Sequence, residues 1–336
     1  MKLFDKDLST DFAVIAEIGV NHEGDPDKAF QMLREAAGAG ADAVKFQSYT
    51  PERYVGAIDP ERQARVGRFA LSEDVHRGLA AEAKNLGVHF LSTPLSEDWV
   101  PLLSELGSAI KIASGDLTFE PVIRAAAQTG KPMIISVGLG TLEEIDQAVG
   151  WVRDEVGEAA LPDRLVLLHC VVAYPTPVEH ANVSNIAFLR ERYGVTVGYS
   201  NHVIGPNVCL AAVALGTPLL EVHFTDQKEG RTFRDHALSM EAADLASLIT
   251  QAKDIRAAMG TPGTTRQESE LENLSAARKG IITAGDVAAG TVLGPDHIMY
   301  ARPVVGFAST ELDSVLGATL ARDVAAGMPI TPEDIK

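Results

Sequence analysis

The sequence predicts a (β/α)8 TIM barrel followed by a small, mostly β domain. Three observations carry that reading. Eight short apolar runs, each succeeded by a helix-period segment, fill the chain from residue 13 to about residue 260. Each run is apolar almost throughout, as expected of parallel strands covered by helices on both faces. The last 60 or so residues abandon this pattern for an internal repeat. A doubly wound open sheet is the alternative, but it usually has fewer strands, and its Gly-rich first loop is missing here.

The eight runs are Ala13–Ile18, Ala43–Gln47, Val88–Ser92, Ala109–Ala113, Met133–Val137, Leu165–His169, Val195–Tyr199 and Leu219–Phe224. Between them lie helix-start signals. Asp25-Pro26 offers a cap and a first-turn proline. Ser72 and Ser96 precede acidic first turns that suit the helix dipole. Thr141 through Glu144 fits a capping box. Gly40, Gly87, Gly107, Gly130, Gly194 and Gly216 stand where helices should give way to strands. Eight such units in about 250 residues match the size of the barrel. The polar segment after Met259, with Pro262 and Gly263, reads as a linker. The expected domains are a barrel over 1–261, a linker over 262–275 and a C-terminal domain over 276–336. In that last domain Ala284–Gly290, followed by Pro295 and Ile298, recurs as Ala321–Gly327 with Pro332 and Ile335. Two copies are too few for a solenoid and predict a pseudo-symmetric β domain with a thin core.

Composition narrows the function classes. The chain has 336 residues, 46% apolar and 22% charged, which fits a folded globular protein. With 29 basic and 46 acidic side chains its net charge is −17. That excludes a broad electrostatic footprint for nucleic acid or an anionic membrane, so any anion must be held by a few local cations and backbone amides. Cys170 and Cys209 are the only cysteines, too few for a disulfide framework or a cysteine zinc site. The start lacks the apolar core of a signal peptide, and the longest apolar stretch, Cys209 to Leu220, is broken by Gly216 and Pro218. The expectation is a cytoplasmic protein.

Active sites of such barrels lie at the carboxyl ends of the strands. The groups placed there are Glu17, Lys45, Gln47, Thr93, Lys111, Ser114, Ser136, Tyr174, Ser200, Asn201, His202, Glu221 and His223, with Asp235 and His236 just beyond. A lysine inside an apolar strand is costly to bury unless its charge is paired. Lys45 and Lys111 could together neutralise a small dianion, with Ser114 and the Ser136–Gly140 loop adding hydroxyls and amides. Either lysine could instead pair structurally with a neighbouring Glu, or form a Schiff base. His202 and His223 end adjacent strands, which run under ~5 Å apart, so they could share one divalent ion. Alone, the pair also fits ordinary hydrogen-bonding histidines. Glu221 shares the strand face of His223 and is a candidate base or third ligand.

Seven motifs occur in order: AEIGVNHEGD (16–25), VKFQSY (44–49), LSTP (91–94), KIASGD (111–116), HCVVAYPTP (169–177), GYSNHVIG (198–205) and EVHFT (221–225). Together they resemble the N-acetylneuraminate (sialic acid) synthase family, and the C-terminal segment resembles that family's SAF, or antifreeze-like, domain. The resemblance covers almost the whole chain. It implies condensation of phosphoenolpyruvate with an N-acyl hexosamine, typically N-acetylmannosamine, to a nine-carbon 2-keto acid with loss of phosphate. It also implies Mn²⁺ or Mg²⁺ held by His202 and His223. By matching position, Lys45, Thr93, Lys111, Ser114, Ser136 and Ser200 would contact phosphoenolpyruvate. Glu17, Tyr174, Glu221 and Asp235 would bind the sugar or move protons. Gln47, Asn201 and His236 are further substrate-contact candidates. Arg302 would reach the sugar's acyl group from the partner subunit in a domain-swapped homodimer.

Three positions depart from the family pattern. Asn201-His202-Val203 stands where Asp-His-Thr is usual, so the metal histidine has a neutral neighbour. Val172-Ala173 removes an Asn. The loop before Asp235 reads Arg231-Thr-Phe-Arg234 in place of a Gly-Pro pair. Its two arginines could read a phosphate or carboxylate on the acceptor, or simply pair with the chain's surplus acids. Two other readings compete with the synthase: a pyruvate aldolase using Lys111 or Lys45 as Schiff-base amine, and a non-catalytic sugar-binding relative.

Overall fold

The computed structural model describes residues 1–263 and 265–336; Thr264, within the expected linker, lies outside the described residues. The chain forms two compact units, Met1–Gly260 and Thr261–Lys336.

The first unit is built on eight parallel strands: β1 (Ala13–Gly19), β2 (Ala43–Ser48), β3 (His89–Pro94), β4 (Ile110–Ile112), β5 (Met133–Ser136), β6 (Leu165–His169), β7 (Thr196–Asn201) and β8 (Leu219–His223). Their order in the sheet is β3-β2-β1-β8-β7-β6-β5-β4. The two end strands meet where Ser108 N donates to Phe90 O at 3.3 Å, curling the sheet into a barrel. Helices α1 (Pro26–Gly38), α2 (Glu73–Leu86), α3 (Val100–Leu106), α4 (Glu120–Gln128), α5 (Leu142–Val156), α6 (Asn185–Tyr193), α7 (Asn207–Ala214) and α8 (Ala242–Met259) cover it.

The starts follow the sequence signals with one exception. Asp25 accepts from the Asp27 and Lys28 amides, Ser72 from Val75 N, and Thr141 with Glu144 completes a capping box. Ser96 makes no cap bond: a 3₁₀ turn, Glu97–Trp99, intervenes before α3. Gly87 closes α2 at φ 74°, a conformation a side chain would strain.

Two core layers position the site. The outer strand faces, such as Val14, Ala16 and Ile18 of β1, pack against Met32 and Leu33 of α1. The inner faces fill the lower barrel with Ile15, Ala43, Leu91, Ala109, Ile134, Leu168 and Leu219. A hairpin unforeseen in the sequence, Lys2–Leu3 against Lys6–Asp7, adds Leu3, Phe4 and Leu8 to this inner layer. Strand side chains alternate, so the residue two positions further along shares the inward face. There the character changes: Ile15 is followed by Glu17, Ala43 by Lys45, Leu91 by Thr93, Ala109 by Lys111, Ile134 by Ser136, and Leu219 by Glu221 and His223.

The second unit has its own core of Ile281, Val287, Leu293, Phe307, Val315, Leu320, Val324 and Ile330. Strands β9 (Gly280–Thr283) and β10 (Ile298–Ala301) pair antiparallel. The sequence repeat is a structural one. Val287 and Val324 exchange both backbone hydrogen bonds at 2.9 Å. Asp323 accepts from Ala289 N at 2.7 Å, and its counterpart Asp286 accepts from Ala326 N at 2.8 Å. Each repeat thus closes the loop of the other.

Candidate active site

The inward-facing polar residues meet as a charged network at the carboxyl ends of the strands. Lys45 Nζ lies 2.6 Å from Glu17 Oε2 and 3.7 Å from Glu221 Oε2. Lys111 Nζ lies 3.9 Å from Glu221 Oε1. Lys45 donates to Thr93 Oγ1 at 3.2 Å, Lys111 to Ser136 Oγ at 2.7 Å, and Ser200 to Glu221 at 3.1 Å. All of these side chains are buried. The lysines therefore do pair with neighbouring glutamates, and those glutamates are the candidate site's own acids. Glu17 Oε1 and Gln47 Nε2 both lie beside Gly19, 3.0 and 3.5 Å from where a Cβ on it would stand.

Burial pushes the Glu17 carboxyl up to about 7; Lys45 opposes that shift and Glu221 adds to it. Burial also works against the charged form of Glu221, but Lys111 and Lys45 outweigh it and hold this carboxyl below its ordinary value. Burial would lower Lys45, yet Glu17 and Glu221 outweigh it and hold the ammonium above the usual lysine range. Burial dominates at Lys111, which is shifted down. One acid is thus poised near neutrality beside another that stays ionised.

Above this layer stand the two histidines. Their ring centroids are 5.2 Å apart. His202 Nδ1 meets Val171 O at 2.7 Å, which fixes the ring. His223 Nδ1 is buried with no hydrogen-bond partner. Burial lowers both, so both are neutral at pH 7. Tyr174 packs over them, 4.2 Å from the His202 ring and 5.9 Å from that of His223. Asp235, which burial shifts up, and Arg234 complete this upper layer.

Ser114 sits at the β5 side. Its hydroxyl accepts from Gly138 N at 3.0 Å and touches Cys170 Sγ at 3.1 Å. A Cβ on Gly138 would come within 2.7 Å of Val172 and 2.9 Å of both Ser114 Oγ and Cys170 Sγ, so only glycine leaves this hydroxyl where it is. A cavity of about 600 Å³ opens beside this loop, lined by Leu139, Val172, His180 and Phe188 among others. That Cys170 neighbours Ser114 is not evident from the sequence, where its place directly after the β6 strand end is the one local signal.

Two of the expected substrate-contact candidates already have protein partners. Asn201 follows the inward-facing Ser200, so it shares the outward face with Tyr199. Its Oδ1 accepts from Tyr199 Oη and Val203 N, and its Nδ2 donates to Val203 O. It shapes the turn that carries His202. His236 is equally committed, with Nδ1 2.7 Å from Thr225 Oγ1 and Nε2 3.2 Å from Glu23 Oε1. The two loop arginines also separate. Arg231 is held by Asp226 and Glu23, as surplus-acid pairing anticipates, whereas Arg234 lies over the Tyr174 ring at 4.9 Å. Arg302, in the second unit, is exposed and donates through Nε to Ala277 O at 2.7 Å.

A parallel barrel with buried acids, ammonium groups and imidazoles at its catalytic end is an enzyme scaffold. The chain belongs to the NeuB family, whose model matches residues 32–264, and residues 278–336 match the SAF domain. It is 34% identical to the N,N'-diacetyllegionaminic acid synthase of Campylobacter jejuni, over 90% of this chain and 94% of that one. It is 30% identical to the N-acetylneuraminate-9-phosphate synthase of Homo sapiens, over 85% and 81%. Among solved structures, the N-acetylneuraminic acid synthetase of Leptospira borgpetersenii, in complex with citrate, matches with a TM-score of 0.73 at 33% identity, covering 78% of this chain and 90% of that one. The protein is an enzyme of the nonulosonic acid synthase group. No helix among the described residues is long and apolar enough to cross a membrane.

Proposed function

We propose that the enzyme condenses phosphoenolpyruvate with an N-acyl hexosamine such as N-acetylmannosamine and releases phosphate by C–O cleavage. The observation that carries this reading is the stacking of a twin-ammonium layer, Lys45 and Lys111, beneath the His202–His223 pair. Lys45, Lys111 and the hydroxyls of Thr93, Ser114, Ser136 and Ser200 bind the anion. The enol carbon attacks the open-chain aldehyde of the sugar, water adds at the carbon bearing the phosphate, and phosphate departs. Glu17 is poised to deliver a proton to the oxygen of the reacting aldehyde. Glu221, held ionised by both lysines, is poised to take one from the water.

His202 and His223 fit a divalent cation, Mn²⁺ or Mg²⁺. The unpartnered buried Nδ1 of His223 needs a ligand, and the Val171 contact orients His202 with its Nε2 free. Among the described residues no cluster of three or more His, Cys, Asp or Glu forms a metal site, so the pair would leave most positions to water and substrate. When bound, such an ion supplies Lewis-acid polarisation of a carbonyl oxygen. Arg302 is assigned to the sugar's acyl group, contributed by a second copy of the chain.

The test is a phosphate-release assay with phosphoenolpyruvate across a panel of hexosamines; sugar-dependent release supports the proposal and sugar-independent silence opposes it. The burial-lowered Lys111 also favours a Schiff-base aldolase as second reading. Borohydride trapping with pyruvate separates the two, since a covalent adduct at Lys111 belongs to the aldolase alone.

A further inference from the structure

Arg234 differs from the other cations around the candidate site. Lys45 and Lys111 are buried among Glu17 and Glu221, and Arg231 is taken by Asp226 and Glu23. The Arg234 side chain is 69% exposed, and its single ion pair runs through Nε to Asp235 at 3.2 Å. Among the described residues no other carboxylate lies within ion-pair distance of it. Its guanidinium carbon lies 4.9 Å from the Tyr174 ring centroid, and the same ring packs on His202.

These contacts preorganise the side chain. The ring contact and the Nε bond hold the guanidinium on one side and leave the Nη edge without an ion pair, the fork that matches a phosphate or carboxylate in two-point geometry. The position is also specific. Two residues beyond Glu221 along β8, about 7 Å at ordinary strand rise, stands His223, and Tyr174 and Arg234 cap that level. The fork therefore addresses the acceptor end, not the lysine layer that takes phosphoenolpyruvate. In a chain of net charge −17, this fork is one cation beside the candidate site that no glutamate has taken, and so is open to an anion.

Building on the synthase reading above, we propose that Arg234 reads an anionic substituent on the acceptor, so that the sugar taken is a hexosamine phosphate monoester. Asp235 and Tyr174 act as positioning residues for it. A plain hexosamine would leave the fork solvated and gain nothing from it.

The experiment compares N-acetylmannosamine 6-phosphate with N-acetylmannosamine, at saturating phosphoenolpyruvate, in the wild-type full chain and in Arg234→Ala and Arg234→Lys. Loss of a charge-assisted two-point contact should cut the phosphorylated-to-plain kcat/KM ratio about 10–100-fold in Arg234→Ala, with partial recovery in Arg234→Lys. A merely structural role would depress both sugars together and leave the ratio unchanged, which overturns the proposal. So would a wild-type ratio at or below one. Binding of the two sugars is measured in parallel by calorimetry. If neither sugar turns over but the phosphate ester binds tighter and loses that margin in Arg234→Ala, the synthase reading fails while the anion assignment stands. Equal binding of both sugars removes the assignment whatever the chemistry.

Discussion

Glu17 Oε2 stands 2.6 Å from Lys45 Nζ, at the centre of a buried pair of lysines and pair of glutamates. With both acids ionised the cluster has no net charge to offer an anion. With Glu17 protonated it carries one positive charge. Under the proposed function, the anion should therefore be held best while Glu17 keeps its proton, the form burial favours up to about pH 7.

The sign of the pH dependence follows. Below about 7 Glu17 is neutral and phosphoenolpyruvate or inorganic phosphate should bind tightest; affinity should fall as pH rises through that value. Above it, binding should draw a proton from the medium. Calorimetry in buffers of different ionisation heat measures both, and Glu17→Gln should flatten the affinity profile. The same raised value means the folded state holds this proton more tightly than the unfolded one. Stability should decline as pH climbs from the ordinary carboxyl value of 4.5 toward 7, and Glu17→Gln should remove that decline. A profile unchanged by the substitution would assign the titration elsewhere.

His202→Ala or His223→Ala should abolish turnover and the binding of Mn²⁺, read by electron paramagnetic resonance, while circular dichroism shows an intact barrel. Neither ring belongs to the main apolar core clusters. Full activity of metal-stripped His202→Ala would refute the metal assignment.

Gly138→Ala should raise KM for phosphoenolpyruvate more than it lowers kcat, because the added methyl collides with Ser114 Oγ and Cys170 Sγ at 2.9 Å and with Val172 at 2.7 Å. Gly198→Ala meets Leu168 at 2.5 Å and the Leu219 carbonyl at 2.7 Å, inside the barrel. That overpacking should cost about 1–3 kcal/mol, measured by urea denaturation. Steady-state kinetics on the first and unfolding midpoints on the second would expose the opposite assignment.

Deleting residues 276–336 should leave a folded barrel, because Met1–Gly260 holds its own core, but one with little synthase activity. Arg302→Ala in the full chain should raise KM for the sugar. Unchanged sugar kinetics in both would detach the C-terminal unit from catalysis.

Much of this was legible in the sequence because periodicity survives folding. Apolar runs became buried strands, and two-residue alternation carried Glu17, Lys45, Lys111, Ser200 and Glu221 onto one face. The same alternation, applied one residue further, would have turned Asn201 outward beside Tyr199. His236 and Arg231 were not legible, because their partner Glu23 lies over 200 positions away and no local pattern announces it. Nor was the N-terminal hairpin, whose short strands carry too few residues for a period.

The most direct test follows phosphate release and product formation together, with phosphoenolpyruvate and hexosamine in ¹⁸O-labelled water. Release should depend on the sugar, with one 2-keto acid formed per phosphate and label entering the keto acid but not the phosphate. Label in the phosphate, or keto acid formed from pyruvate through an adduct at Lys111, would contradict the proposed condensation.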